Sequence, residues 1–393
     1  MQFFDQNNIP DPAKLARYKK SPEQGPKILF FSGGSALHGL SRQLIHYTYN
    51  SIHIITSFDS GGSSAILREA FLMPAVGDIR ARLMDLVDQN LWGNREIFAL
   101  FAYRFDQKAK KIALVNELGQ MVNGEHKLIT RIPDPMQKII RNHLLWFQRH
   151  MEDDFDLCGA SVGNLVLTAG YLENRRELDP VIDIFSRLVM VRGIVQPVIN
   201  KYLHLVAELA DGSTVVGQNL LTGKEAPPIV SKVERVYITD DRDKHPVCHV
   251  RAAGEIRSLI SAAELICYPM GSFYSSIIAN LLVDGVGEAT CKNGSPKVYI
   301  PSTGLDPECL GHTIMDQVET LLAYASQGQP KIKAADVLNY VLVDQKNGQY
   351  TGKLASKRLA QLGIEIIDCE LVSRKSAPYI DESLLLPILL SLV

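Results

Sequence analysis

The chain has 393 residues, enough to bury one large core or two smaller ones. Its 41 basic and 43 acidic residues nearly cancel, and with no basic stripe and only 7 % aromatics the composition argues against nucleic acid as a partner. Six cysteines without a C-x-x-C pair read as reduced, mostly buried thiols of a cytoplasmic protein rather than a disulfide scaffold.

Residues 1–26 are polar and proline-broken, with neither a signal-peptide nor a membrane-span pattern. They read as an arm that Phe3 and Phe4 would tuck onto the body or a second subunit. Then Ile28 to Phe31 and Ile52 to Ile55 are short apolar runs that end in glycine turns, each followed by helical spacing. The first of these helices is expected from about Ala36 to Tyr47. Arg82 to Trp92 and Met136 to Met151 also carry helical spacing, and Lys111 to Asn123 looks irregular. Small residues from Gly159 to Asn164 precede an apolar helix through Leu172. Asp179 to Arg192 is a further helix, and Ile194 to Val198 a strand. Residues 201–238 alternate apolar and polar, with a hairpin at Asp211-Gly212.

Arg251 to Ala262 is helical, and Leu265 to Tyr268 is a buried strand that ends at Pro269-Met270-Gly271-Ser272. The helix beyond it runs to Leu282. Lys297 to Pro301, Val341 to Asp344 and Ile364 to Ile367 complete the strands. The tail from Leu384 to Val393 is apolar, yet shorter than the ~20 residues that cross a bilayer. It must cover apolar surface on its own chain, on a partner subunit or on a membrane face, and docking on protein is the expectation. The alternation of strands and helices predicts a doubly wound, mostly parallel α/β sheet of Rossmann-like type, with helices on both faces. We divide it into the arm 1–26, a nucleotide-binding α/β domain 27–345 and an extension 346–393 packed on that domain or on a partner subunit.

Ligands in such sheets sit beyond the carboxyl ends of the strands, where the glycine turns lie. Gly33 and Gly34 let the backbone approach an anion, and Ser35 is placed to cap the following helix. The turn Asp59-Ser60-Gly61-Gly62-Ser63-Ser64 repeats the device with a carboxylate, which makes chemical sense with a divalent cation between acid and phosphate. Asp78 and Arg80 add an acid at a helix start and a guanidinium; alone, Asp78 reads first as a plain helix cap. Gly271 and Ser272 repeat the opening device. Neither G-x-G-x-x-G nor a Walker lysine is present.

Together, SGGSAL, FDSGGSSAILRE and PAVGDIRARL, followed by GASVGNL and YPMGSFYSSI, resemble the 2-phospho-L-lactate transferase (CofD-like) family. The likeness is closer to its bacterial gluconeogenesis-factor branch and spans about residues 27–325. It implies a CofD-like fold and transfer of a phosphoryl-linked group from a nucleoside diphosphate-activated donor to an alcohol, with Mg²⁺. Asp59 would hold the metal or orient the acceptor. Gly33, Gly34, Ser35, Gly61, Gly62, Ser63, Gly271 and Ser272 would cradle phosphates, Arg68 and Arg80 would balance charge, and Asp78, Ser161, Gly163 and Asn164 would complete the site. The alternative is a nucleotide-sugar-binding regulatory factor without turnover. Ser60 stands where the family commonly has a second aspartate, Ser32 and Ala36 replace loop glycines, and Ala279 replaces a proline. The arm and the tail together predict a homodimer.

Overall fold

Among the described residues ten strands form two sheets. The structure is a computed structural model that describes residues 9–223, 226–304 and 306–393. Phe3 and Phe4 lie outside them. Seven strands make one all-parallel sheet: β1 (Ile28–Ser32), β2 (Ile52–Ile55), β3 (Ile194–Pro197), β7 (Leu265–Tyr268), β8 (Lys297–Tyr299), β9 (Tyr340–Val343) and β10 (Glu365–Asp368), in the order β10-β9-β8-β7-β1-β2-β3. The chain runs outward from β1 to β3, returns to β7 and runs outward the other way. β1 and β7 therefore flank the point where the winding reverses.

The strands read as continuous apolar runs because both faces are covered. Leu29 and Phe31 of β1 pack with Ile266, Tyr268 and Val341 on one face, while Ile28 and Phe30 pack with Leu265, Cys267 and Leu342 on the other. β4 (His204–Leu209), β5 (Thr214–Val216) and β6 (Val233–Thr239) form a separate antiparallel sheet, turned at Gly212 as its Asp-Gly sequence predicts. This small sheet covers the first face of the main sheet through Leu205, Val236 and Ile238.

Local corrections follow from packing. Lys111–Asn123 is a helix, not irregular, because Leu114, Leu118, Met121 and Val122 share one buried stripe and Gly124 closes it in a left-handed conformation. The helix after β1 is shorter than expected, His38–Leu44. Of the stretch Arg82 to Trp92 read as helix, only the first four residues are helical, as the end of Gly77–Asp85; the next helix, Asn94–Ala102, begins beyond it. All six cysteines are free, yet only Cys267 and Cys291 are buried; the other four are half-buried.

The apolar tail is the helix Glu382–Ser391, started by the Asp381 carboxylate, which accepts from Ser383 N. It packs on His38–Leu44 with Leu385, Leu389, Leu390 and Leu392 fully buried. The helix Pro12–Lys20 in turn packs on it, with Asp11 N donating to Ser391 Oγ at 2.8 Å. No helix among the described residues is long and apolar enough to cross a membrane. The tail is spent on its own chain, so it supplies no argument for a second subunit.

This docking predicts that Leu389→Ala lowers stability by about 2–5 kcal/mol, the usual cost of emptying a leucine site that cannot collapse. Urea unfolding of the full chain measures it. A variant as stable as the parent would show that the tail helix is not part of the cooperative core.

Candidate functional site

The loops leaving β1 (residues 33–37) and β7 (269–272) open a cleft of about 310 Å³ at the reversal point of the sheet. This is where a doubly wound sheet offers a crevice to ligands. Its walls combine those two loops with the turn 59–64, the start of the helix Gly77–Asp85 and the side chains of Arg104, Asn164, Gln218, Asn219 and Thr222.

Beneath the first loop lies Arg82, fully buried. Its Nη2 donates to the carbonyl oxygens of Gly33 and Gly34, both at 3.1 Å, and its Nη1 donates to Ser41 Oγ at 2.7 Å and to Asp85 Oδ2 at 3.3 Å. A trans peptide sets its N–H opposite its C=O, so pinning these two carbonyls turns the N–H groups of Gly34 and Ser35 away from Arg82. Burial pulls the Arg82 guanidinium below its ordinary value, and Asp85 and Asp78 oppose that shift. Asp85 is itself buried and also takes Arg42 Nε at 3.1 Å and Nδ1 of His38.

Above the loop stand two carboxylates and two guanidiniums. Asp78 lies so close over Gly34 that a methyl there would sit 2.8 Å from its Cγ, and one at Gly33 would sit 2.5 Å from Ser276 Oγ. The glycines are thus needed for internal packing as much as for a ligand, and a side chain at 34 would displace Asp78. Asp59 accepts from Gly61 N at 3.1 Å, shaping its turn. Arg80 Nη1 donates to Phe101 O and Ser161 Oγ at 3.0 and 2.9 Å. Burial, then the neighbouring Arg104, brings Arg80 down to about 10, so it stays charged at neutral pH. Arg104 Nη1 and Asn164 Nδ2 both donate to Ser63 Oγ, at 3.1 and 3.0 Å. Four buried polar atoms of the lining side chains have no partner among the described residues: Ser32 Oγ, Arg80 Nε, Asn164 Oδ1 and Gln218 Oε1.

The residues singled out in the sequence divide accordingly. Gly33, Gly34, Ser35, Asp59, Gly61, Gly62, Ser63, Asp78, Arg80, Asn164, Gly271 and Ser272 line the cleft. Arg68 does not; it is buried behind the wall, donating to the carbonyl oxygens of Phe58 (3.2 Å), Asp59 (2.9 Å) and Leu203. It anchors the turn that carries Asp59. Ser161 and Gly163 also stand behind the lining: Ser161 Oγ donates to Phe101 O at 3.1 Å and accepts from Arg80. A Cβ on Gly163 would meet Arg80 Cδ at 2.7 Å. Both position Arg80.

Neither expected serine cap forms. The helix after β1 starts only at His38, so Ser35 sits in the loop, and Ser272 makes no cap hydrogen bond. The backbone beyond Ser272 is a π-helical turn, Phe273–Ile278, running into Ala279–Leu281, and its first donors are already taken. Phe273 N donates to Asp306 Oδ2 at 3.2 Å, and Tyr274 N and Ser275 N donate to Glu308 Oε2, each at 2.8 Å. Gly271 N donates to Ser302 Oγ at 2.8 Å. Internal oxygens fill the place that the motif offers to a phosphate. A neighbouring groove of about 360 Å³ shares Ser35, Ala36, Met270 and Ser272 with the cleft and is closed by Thr303, Tyr379, Ile380 and Glu382 of the later chain.

Sequence reasoning missed Arg104, Gln218, Asn219 and His38. Arg104 follows an apolar helix with no glycine turn to mark it, and Asn219 lies on the short helix Gln218–Leu221 that follows β5. Asn219 binds Ser60: Ser60 Oγ donates to Asn219 Oδ1 at 2.6 Å and accepts from Asn219 N at 3.1 Å.

Comparison with known proteins gives the family and the fold. Residues 28–383 match the family described as 2-phospho-L-lactate transferase CofD. The chain belongs to the CofD family. It is similar to the gluconeogenesis factor of Bacillus subtilis, 28 % identical over 90 % of this chain and 93 % of that one, and to that of Listeria innocua, 30 % identical over 71 % and 67 %. A crystal structure of a UPF0052 family member from Bacillus halodurans superimposes with a TM-score of 0.67 at 22 % identity, over 93 % of this chain and 99 % of the other. That likeness carries the fold, a doubly wound α/β sheet.

Glu308 gives this CofD-family site a pH signature. Burial first, and Asp306 second, push its carboxyl from an ordinary 4.5 up to about 8, against the hydrogen bonds from Ser275 and Tyr274. Between those values the native chain keeps a proton that the unfolded chain releases, so stability falls as pH rises through the window. The slope from one such group is at most about 1.4 kcal/mol per pH unit. Urea midpoints of parent and Glu308→Gln between pH 5 and 8 test it: the variant should lack this component, and an unchanged slope would contradict the assignment.

Proposed function

We propose that the cleft binds a nucleoside diphosphate-activated donor and transfers its phosphoryl-linked group to an alcohol. The observation that carries this is the set of four unpartnered polar atoms on side chains lining one glycine-walled cleft at the sheet's reversal point. Buried polar groups are costly unless something meets them, and a polar ligand or ordered water does so. The N–H groups of Gly34 and Ser35, with Arg80 and Arg104, suit the diphosphate. Ser35, Met270, Tyr379 and Glu382 line the adjoining groove, which gives the rest of the donor or the acceptor room to extend.

Mg²⁺ fits the donor set. Two carboxylates, Asp59 and Asp78, share the cleft with two guanidiniums, so an added diphosphate leaves excess negative charge. Mg²⁺ typically takes one or two carboxylates and completes its shell with phosphate oxygens and water. Asp59 is the residue that would hold it, and the ion would supply charge neutralisation at the phosphates. The chain's own part is positional: Arg82 fixes the loop, Ser161 aims Arg80, and Arg68 anchors the Asp59 turn.

A second reading has one observation in its favour. Ser60, at the place of a second acid, is bonded to Asn219, so that position supplies no carboxylate to the chemistry. A cleft that binds a nucleotide-sugar and regulates without turnover needs only the cradle, and the relatives named gluconeogenesis factors suit such a role in carbon metabolism.

Calorimetry against GDP, UDP and their sugar conjugates, with and without Mg²⁺, tests binding; silence across that panel contradicts both readings. Asp59→Asn separates them. A transferase should keep much of its binding and lose about a hundredfold or more in turnover, the scale of one positioned acid–base group. A sensor should lose only Mg²⁺-dependent affinity.

A further inference from the structure

His38 lies where the glycine loop becomes helix, on the lining of the cleft, with its side chain 39 % exposed. Its Nδ1 is tied to Oδ2 of Asp85, whose side chain is 1 % exposed. That leaves Nε2 as the free edge of a ring that a buried carboxylate holds in one orientation. Nε2 is absent from the buried unpartnered atoms, and no partner for it is found among the described residues.

An imidazole with one nitrogen on a buried carboxylate and the other open to a cleft is the arrangement that orients a general base. The carboxylate fixes the Nδ1–H tautomer and stabilises the imidazolium that forms. Besides His38, Asp85 is held by two guanidiniums, Arg82 on its own helix and Arg42 on the helix after β1. The other charged groups that share the cleft with His38 are Asp59, Asp78, Arg80 and Arg104, and the Glu382 carboxylate lies against Gly39 from the tail helix. The reaction proposed above lacks a base at position 60, because the Ser60 hydroxyl is engaged with Asn219.

Resting on that reading of the cleft, the geometry points to His38 as the catalytic base that activates the acceptor hydroxyl, with Asp85 as its positioning residue. The acceptor's O–H proton passes to His38 Nε2. The freed oxygen forms a bond to the distal phosphorus of the donor, the bond from that phosphorus to the bridging oxygen breaks, and its electron pair stays on the departing nucleoside monophosphate. The proton then leaves the imidazolium to water. Atoms and charge balance without a further reactant, and water can stand in for the acceptor as a slow hydrolysis.

The test uses the full chain with UDP- and GDP-linked sugars and Mg²⁺, reading binding by calorimetry and monophosphate release by chromatography. His38→Gln should bind as the parent does and release monophosphate about a hundredfold more slowly, without the parent's acid limb in the pH–rate profile. His38→Ala should recover part of the rate when imidazole is added, which a purely structural role would not do. Parental rates and pH profile in His38→Gln, with binding intact, would overturn the base assignment and leave the cleft reading standing. Binding without any monophosphate release by the unchanged protein would overturn the base assignment together with the transfer reading, and leave only the reading of a binding cleft without turnover. Absence of nucleotide binding in the unchanged protein would remove the cleft reading, and His38's role with it.

Discussion

The site depends on a single buried guanidinium. Arg82 has no solvent to share its charge, and its hydrogen bonds run to two loop carbonyls, one hydroxyl and one carboxylate. A charge removed from water is tolerated only when neighbours answer it, and both Nη groups of Arg82 are paired although its Nε is not, so the loop after β1 is held in the conformation that gives Nη2 its two carbonyls. The same constraint reaches outward. Asp85 answers Arg82 and orients His38, and Asp78 rests on Gly34 of the loop that Arg82 pins. Two segments far apart in sequence, 32–44 and 77–85, are one electrostatic unit.

That unit faces a second wall built on different logic. The helix start after β7 is satisfied by Glu308 and Asp306, so it contributes shape more than free donors. Gly271 still matters for contact: a Cβ there would come within 2.8 Å of Ala36 Cβ. The alanine that replaces a loop glycine at 36 is accommodated because residue 271 has no side chain. The cleft is therefore asymmetric, with an anion-friendly side on β1 and a packed, internally capped side on β7.

The sheet was legible because its strands are short, apolar on both faces and closed by glycine turns, and periodicity reads such signals directly. The cleft was legible where backbone shape decides it, at Gly33, Gly34, Gly61 and Gly62. Arg68 and Ser161 show the limit. A guanidinium or hydroxyl near a glycine turn reads as a ligand group, and only the fold reveals that backbone carbonyls have already taken them. Arg104 and His38 show the converse. Their importance comes from Ser63, 41 residues from Arg104, and from Asp85, 47 residues from His38, so no local pattern marks them. The helix Lys111–Asn123 was missed because its stripe is interrupted by glycine and polar residues, although burial of Leu114 and Leu118 suffices to form it.

The central claim is that Arg82 holds the β1 loop so that its N–H groups, with Arg80 and Arg104, receive a diphosphate. A crystal structure of the chain grown with a nucleoside diphosphate and Mg²⁺ tests it most directly. The account predicts the diphosphate between loops 33–35 and 61–63, within hydrogen-bond reach of Gly34 N or Ser35 N and of one of the two guanidiniums. A nucleotide seated instead beyond β8 and β9, against Tyr299 and Tyr350, with the β1 loop untouched, would contradict it.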